Sequence, residues 1–161
     1  MNDRFSVRLL QFALGFCLFA VAAAPLFSAV KNWALVASAG SKVDEVSLAD
    51  LTKLCKGTQK AWSDGKGFTL VMHDPESPEM HAAVQKLFGV AATDVKPLLT
   101  KLNESHTIIK IVDNDDDIMR TVGSIPGAVG LVDVYAINSS VKVLRIDGKL
   151  PFDVGYSLKG N

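Results

Sequence analysis

Residues 68–89 read FTLVM-HDPESPEMH-AAVQKLFG, and their order decides the fold. Phe68 to Met72 is a short apolar run rich in strand-forming residues, set off by the Ser63-Asp64-Gly65-Lys66-Gly67 turn before it. After it the period changes. Met80, Ala83, Val84, Leu87 and Phe88 recur at i, i+3, i+4, i+7 and i+8, one face of a helix. Ser77 stands at the cap position and Pro78 at the first helical position, where its missing N–H costs nothing. Gly89 supplies the stop. A strand that passes through one loop into an amphipathic helix is the repeating unit of an α/β sheet.

The same alternation extends in both directions. Upstream, Leu35 to Ala39 reads as a strand, and Ser47 opens a helix with Leu48, Leu51, Leu54 and Cys55 on one face, Asp50 as capping-box partner and Gly57 as its end. Downstream, Val95, Leu98, Leu99 and Leu102 mark a helix that tolerates Pro97 in its first turn. Thr107 to Val112 is a third strand, Ile118, Met119 and Val122 mark a further helix, and Gly123 to Gly127 closes it. Ala128 to Ile137 and Val141 to Ile146 are the fourth and fifth strands, joined by Asn138-Ser139-Ser140. The expected fold class is α/β, a mostly parallel sheet of about five strands flanked by helices, since parallel neighbours need crossovers. The short link between the last two strands admits an antiparallel pair there.

At the N-terminus, Arg4 and Arg8 precede the uncharged stretch Leu9–Val30, the charged head and apolar body of a secretory signal. Cleavage after Ala23 is expected, giving a signal peptide over 1–23 and a single domain over 24–161 in the periplasm or secreted. Membrane association is expected only if the signal stays uncleaved as an anchor, for which 22 residues at about 1.5 Å each suffice. Phe16 before Cys17 disfavours lipid attachment. The 161 residues carry 17 Lys+Arg and 17 Asp+Glu. That balance lacks the basic surface nucleic acid requires, so no nucleic-acid partner is expected. Cys55 is the one cysteine beyond the signal, so no disulfide framework exists, and its helical spacing from Leu51 places it in the core.

Chemical motifs are sparse. Asp113, Asp115 and Asp117 resemble the start of a calcium loop, but Ile118 stands where Gly is needed and Ser124 where Glu is needed. Their simpler role is at a helix N-terminus. His73, His81 and His106 form no ligand spacing for a metal, and no G-x-S-x-G, H-E-x-x-H or P-loop sequence occurs. No cofactor and no enzymatic activity are expected. The helix start at Ser77 is the best anion site in the chain, although Asp74, Glu76 and Glu79 surround it with carboxylates.

The order SLADLTKLCKGTQKAW, FTLVMHDPESPEMHAAVQKLFG, DDIMRTVGSIPGAVGLVDV resembles the phosphate-type substrate-binding proteins of ABC transporters, in particular one lobe of their type II periplasmic-binding-protein fold. The resemblance rests on Gly57, Trp62, Ser77, Gly89 and the run Pro126-Gly127-Ala128-Val129-Gly130, and covers most of residues 33–150. It implies an oxyanion site at Ser77 and packing roles for Gly57, Trp62, Pro126, Gly127 and Gly130. The pattern's Ser-Gly-Thr-Arg falls on Ser77, Pro78, Glu79 and Met80, so a cation and a hydroxyl are lost and a carboxylate gained. Weak binding of phosphate or another small oxyanion is therefore expected. The alternative is a periplasmic module that binds another protein and uses the lobe as a scaffold.

Overall fold

The computed structural model describes residues 31–159 apart from 105 and 107. The signal-peptide reading, Cys17 and the expected start of the third strand at Thr107 lie outside the described residues. The described chain forms seven strands and four α-helices: β1 Trp33–Ser38, β2 Glu45–Val46, α1 Leu48–Cys55, β3 Thr69–Met72, α2 His81–Phe88, α3 Val95–Asn103, β4 Ile109–Ile111, α4 Asp115–Ser124, β5 Ala128–Asp133, β6 Val141–Val143 and β7 Arg145–Ile146. Short 3₁₀ turns, Pro78–Met80 and Ala92–Asp94, lead into α2 and α3.

Five strands form one sheet in the order β4-β3-β5-β1-β6, and β2 pairs with β7 in a separate parallel ribbon. The β4–β3 and β3–β5 pairings are parallel, while β1 is antiparallel to both β5 and β6. Four of the five strands thus point one way, with β1 reversed among them.

Alternation across the sheet sorts the core into two layers. On one face Trp33, Leu35 and Ala37 of β1, Leu70 and Met72 of β3, and Val129 and Leu131 of β5 pack with the apolar sides of α1, α2 and α3. On the other, Ala34, Val36, Val71, Ala128 and Val132 meet Ile118, Met119 and Val122 of α4. With helices on both sides, the central strands are apolar throughout, as in sheets covered on two faces. Cys55 lies fully buried in the first layer, and burial pushes its thiol pKa up.

Two expectations change. The last two strands of the sheet, β5 and β6, are not a hairpin: β1 lies between them, and they run parallel to each other. β5 ends at Asp133, four residues short of Ile137, because the Asp133 carboxylate accepts the Tyr135 N–H at 3.0 Å and its carbonyl accepts the Ala136 N–H at 2.9 Å. This turn directs residues 134–140 back over the α4 face, where Val134 and Ile137 pack. The expected strand Val141–Ile146 is in turn two strands. At Leu144 the backbone N–H still bonds the Leu35 carbonyl, but Arg145 N–H bonds the Asp44 carbonyl and carries the chain to β2.

Candidate functional site

The parallel strands β3, β4 and β5 all end at the same edge of the sheet, and ligands of open α/β sheets bind outside such carboxyl ends. Here β3 passes into His73 and the loop to Met80, α4 begins at Asn114, and β5 ends at Asp133. β1 runs the other way and contributes its first residue, Trp33, which pairs with Asp133.

These pieces are tied together. His73 Nε2 lies 2.9 Å from Asp115 Oδ1, and the same carboxylate oxygen accepts the Asp133 N–H at 3.3 Å. Asp115 thus joins the ends of three elements. The His73 ring packs against Trp33 with centroids 5.7 Å apart, and Trp33 Nε1 donates to the Glu79 carbonyl at 2.9 Å. Lys31 lies above the Trp33 ring and 3.5 Å from the Glu79 carboxylate. The loop is folded by Asp74, whose carboxylate accepts the Glu76 N–H and whose carbonyl accepts the Ser77 N–H. Glu76 is held by Lys96, whose ammonium pKa is raised by that bond, and His81 Nε2 meets the Glu76 carbonyl at 3.0 Å. Asn114, not an aspartate, caps α4: its Oδ1 accepts the Asp117 N–H at 2.9 Å. Asp115, Asp116 and Asp117 fill the first turn, where the helix dipole favours them.

Ser77 occupies the cap position of the 3₁₀ turn with extended backbone, and Pro78 follows at the first position. Its carbonyl accepts the Met80 N–H at 2.9 Å. Its hydroxyl makes no capping bond, contrary to the expectation, and is buried without a hydrogen-bond partner. Met80 lies where its place in the apolar stripe puts it. The position matched to an arginine is completely buried, pointing into the first core layer with Ala83, Val84 and Leu87. Packing of the 3₁₀ turn onto the core together with α2, not the order of the motif, governs that side chain.

The other residues of the resemblance gather at the opposite edge. Trp62 is 8% exposed and donates from Nε1 to the Gly127 carbonyl at 2.7 Å. Gly127 has φ +84°, and a Cβ there would stand 2.3 Å from the Gly67 carbonyl oxygen. Gly130 lies under α4, where a Cβ would meet Ile118 Cγ2 at 2.3 Å. Gly57 ends α1 with φ +70°. Pro126 leads from α4 into β5. A cavity of about 470 Å³ near Trp62 is lined by Asp44, Glu45, Asp50 and Asp64 with Lys42, and of these carboxylates Asp44, Asp50 and Asp64 are ion-paired with Lys142, Lys53 and Lys66. Among the described residues, no group of three or more His, Cys, Asp or Glu is placed to hold a metal ion.

No family model matches the chain. It is 30% identical over 87 residues to the phosphate-binding protein PstS 2 of Streptococcus agalactiae, an overlap of 54% of this chain and 29% of that protein. An ABC-type phosphate transport receptor from Vibrio cholerae has the same fold over 81% of this chain and 54% of its own, with TM-score 0.62 at 15% identity. PstS from Borrelia burgdorferi matches over 81% and 55%, with TM-score 0.59 at 17% identity. Over part of its length this chain is similar in sequence to a phosphate-binding protein and in fold to the phosphate-type substrate-binding proteins of ABC transporters. Its fold is that of one lobe of a type II periplasmic-binding protein. It spans less than a third of the curated relative and about half of these solved structures.

Proposed function

We propose that this is an exported, non-catalytic binding domain, with residues 1–23 removed as a signal and 24–161 as the mature domain, whose carboxyl edge holds phosphate or a similar oxyanion weakly. The Ser77 hydroxyl carries the reading. It is the residue on which the relatives' pattern places its serine, and it stands buried and unpartnered at the start of a helical element. An unpaired buried hydroxyl costs about 1–3 kcal/mol, and an oxyanion reached by rotation about χ1 would satisfy it. Weakness follows from the neighbours. Glu79 is paired with Lys31, Glu76 with Lys96 and Asp117 with Arg120, and Asp115 is engaged by His73, which leaves Asp74 and Asp116 as the carboxylates an anion meets.

Calorimetry of the full chain against phosphate, sulfate and molybdate at low ionic strength tests this. Dissociation constants near or above about 1 mM are expected, a binding free energy of roughly −4 kcal/mol, with Ser77→Ala abolishing the signal. Micromolar binding would overturn the weak-site reading, and no heat with any anion would overturn the oxyanion reading. N-terminal sequencing of exported material checks the cleavage after Ala23.

A further inference from the structure

The turn after β7 presents apolar side chains to water on a firmly built backbone. Leu150 N–H donates to Asp153 Oδ2 at 2.7 Å, Asp153 N–H to the Leu150 carbonyl at 2.9 Å, and Tyr156 N–H to the Asp153 carbonyl at 3.2 Å. Pro151, Tyr156 and Leu158 are buried. Between them Phe152 is 60% exposed and Val154 91% exposed. Tyr135, 83% exposed, sets its ring 6.1 Å from that of Phe152. Two aromatic rings set side by side, with the almost fully exposed Val154 two residues further along the same turn, are unlike scattered surface residues and mark a contact site.

Where the patch lies identifies the occupant. The Val134 N–H, next to Tyr135, bonds the carbonyl of Asn32 at 3.1 Å, and Asn32 bridges to Lys159. The chain therefore joins the domain beside the patch, and the sequence immediately before Lys31 is the uncharged stretch Leu9–Val30, long enough to cross a bilayer. Removal of 1–23 would still leave the uncharged Ala24–Val30 at that point. Lys149, whose Nζ meets the Gly155 carbonyl at 3.4 Å, adds a cation at the rim, and the Asp153 carboxylate between Phe152 and Val154 is turned onto the Leu150 N–H. An aromatic ring with a hydroxyl, two apolar side chains and a lysine beside them is the chemistry that suits a membrane interface.

We infer that Tyr135, Phe152 and Val154 form a membrane-contact patch, on which the domain rests against the lipid surface near the point where the uncharged sequence before Lys31 joins it, with or without removal of 1–23. The test uses the full chain with Cys17→Ser, so that Cys55 is the remaining native thiol and is protected by burial. Single cysteines introduced as Phe152→Cys, Val154→Cys or, at the opposite edge, where the exposed Lys60 accepts the Phe68 N–H on its carbonyl just before β3, Lys60→Cys carry an environment-sensitive dye. The proteins are reconstituted in phosphatidylcholine vesicles containing a minor share of phosphatidylglycerol, with and without brominated lipid. Dyes at 152 and 154 are expected to shift to the blue and lose most of their emission to brominated lipid, while the dye at 60 does neither. Emission at 152 and 154 as water-like as at 60 would overturn the inference. A blue shift without lipid quenching would overturn it too, because protein would then cover the patch. Val154→Cys, at an almost fully exposed position, keeps the test valid if Phe152→Cys fails to fold.

Discussion

The two edges of the sheet differ in what fixes their residues. At the amino edge of β5, Trp62, Gly127 and Gly130 are set by steric contact: an indole N–H on a carbonyl, a carbonyl where a Cβ would go, and an α-helix lying directly on a strand. At the carboxyl edge, Ser77, His73, Asp115 and Glu79 are set by polar contacts on loops and helix starts, with the Ser77 hydroxyl left unpaired. The resemblance to phosphate-binding proteins is kept at the first edge and altered at the second. Packing constraints need the same residues whatever the domain binds, whereas polar loop positions exchange without loss of the fold.

The largest effect should come from filling the contact at Gly130. In Gly130→Val the new side chain would overlap Ile118 and Val122, and α4 would have to lift from the sheet. A loss of about 3 kcal/mol or more is expected in urea unfolding. Gly127→Ala combines left-handed backbone strain with the Gly67 carbonyl clash and should approach the same cost. Near-wild-type stability in both variants would show that the amino edge is not sterically fixed, and the contrast between the edges would collapse.

Tyr156 separates the domain's core from its surface turn. Its hydroxyl accepts the Leu35 N–H at 3.4 Å, and burial pushes its pKa up to about 12 from an ordinary 10. The raised pKa means that the folded state resists ionisation: the stability is intact below pH 10 and falls as the unfolded chain ionises between pH 10 and about 12. A shift of about two units corresponds to roughly 2–3 kcal/mol at the upper end of that window. Tyr156→Phe should flatten this part of the stability profile when both proteins are unfolded in denaturant at pH 8, 9, 10 and 11. Identical alkaline slopes would mean that Tyr156 is solvated.

Local structure was legible because its causes are local. Ser47, Asp50 and Gly57 bracket α1, and the Ser47 hydroxyl accepts the Asp50 N–H at 3.0 Å as the capping pattern requires. The stripe Met80, Ala83, Val84, Leu87 is the buried face of the 3₁₀ turn and α2. Strand order was not legible, because no residue of β1 signals that it inserts between β5 and β6. The ribbon of β2 with β7 is two residues wide, too short for any period to show. At the carboxyl edge, Ser77 was marked by its place before Pro78, but the union of His73, Asp115 and Asp133 joins residues up to sixty positions apart, and Trp33 reaches it only through β1. An acidic run before a helix reads as capping, and only the fold shows that Asp115 also braces a neighbouring loop.

A smaller effect sharpens the amino edge. Trp62→Phe keeps the ring that packs edge-on to Phe68 but deletes the N–H held by the Gly127 carbonyl. Loss of about 1–2 kcal/mol in thermal or urea unfolding is expected, since a part-buried acceptor is left unpaired. Phosphate binding should not change, because Trp62 lies at the far edge from Ser77. A changed affinity would show that the edges are coupled.

The smallest expected effect lies at the carboxyl edge and concerns Glu79. Met80 lies in the core, so restoring the relatives' arginine there would bury a guanidinium and report on folding instead of binding. Glu79 is on the surface, 39% exposed in its side chain, and can be changed without touching the core. Its backbone carbonyl, which holds Trp33 Nε1, is kept in any substitution. Glu79→Thr removes one carboxylate from the helix start, adds a hydroxyl and releases Lys31 from its ion pair. All three changes favour a divalent oxyanion. Because the Glu79 charge is already partly neutralised by Lys31 at 3.5 Å and by salt, the gain should be about 1 kcal/mol at most, roughly fivefold in phosphate affinity at low ionic strength and less at physiological salt. Calorimetry of both proteins at two salt concentrations measures it. A gain that vanishes in salt would assign the deficit at this edge to charge, whereas no gain at either concentration would show that the Glu79 carboxylate does not limit anion binding there.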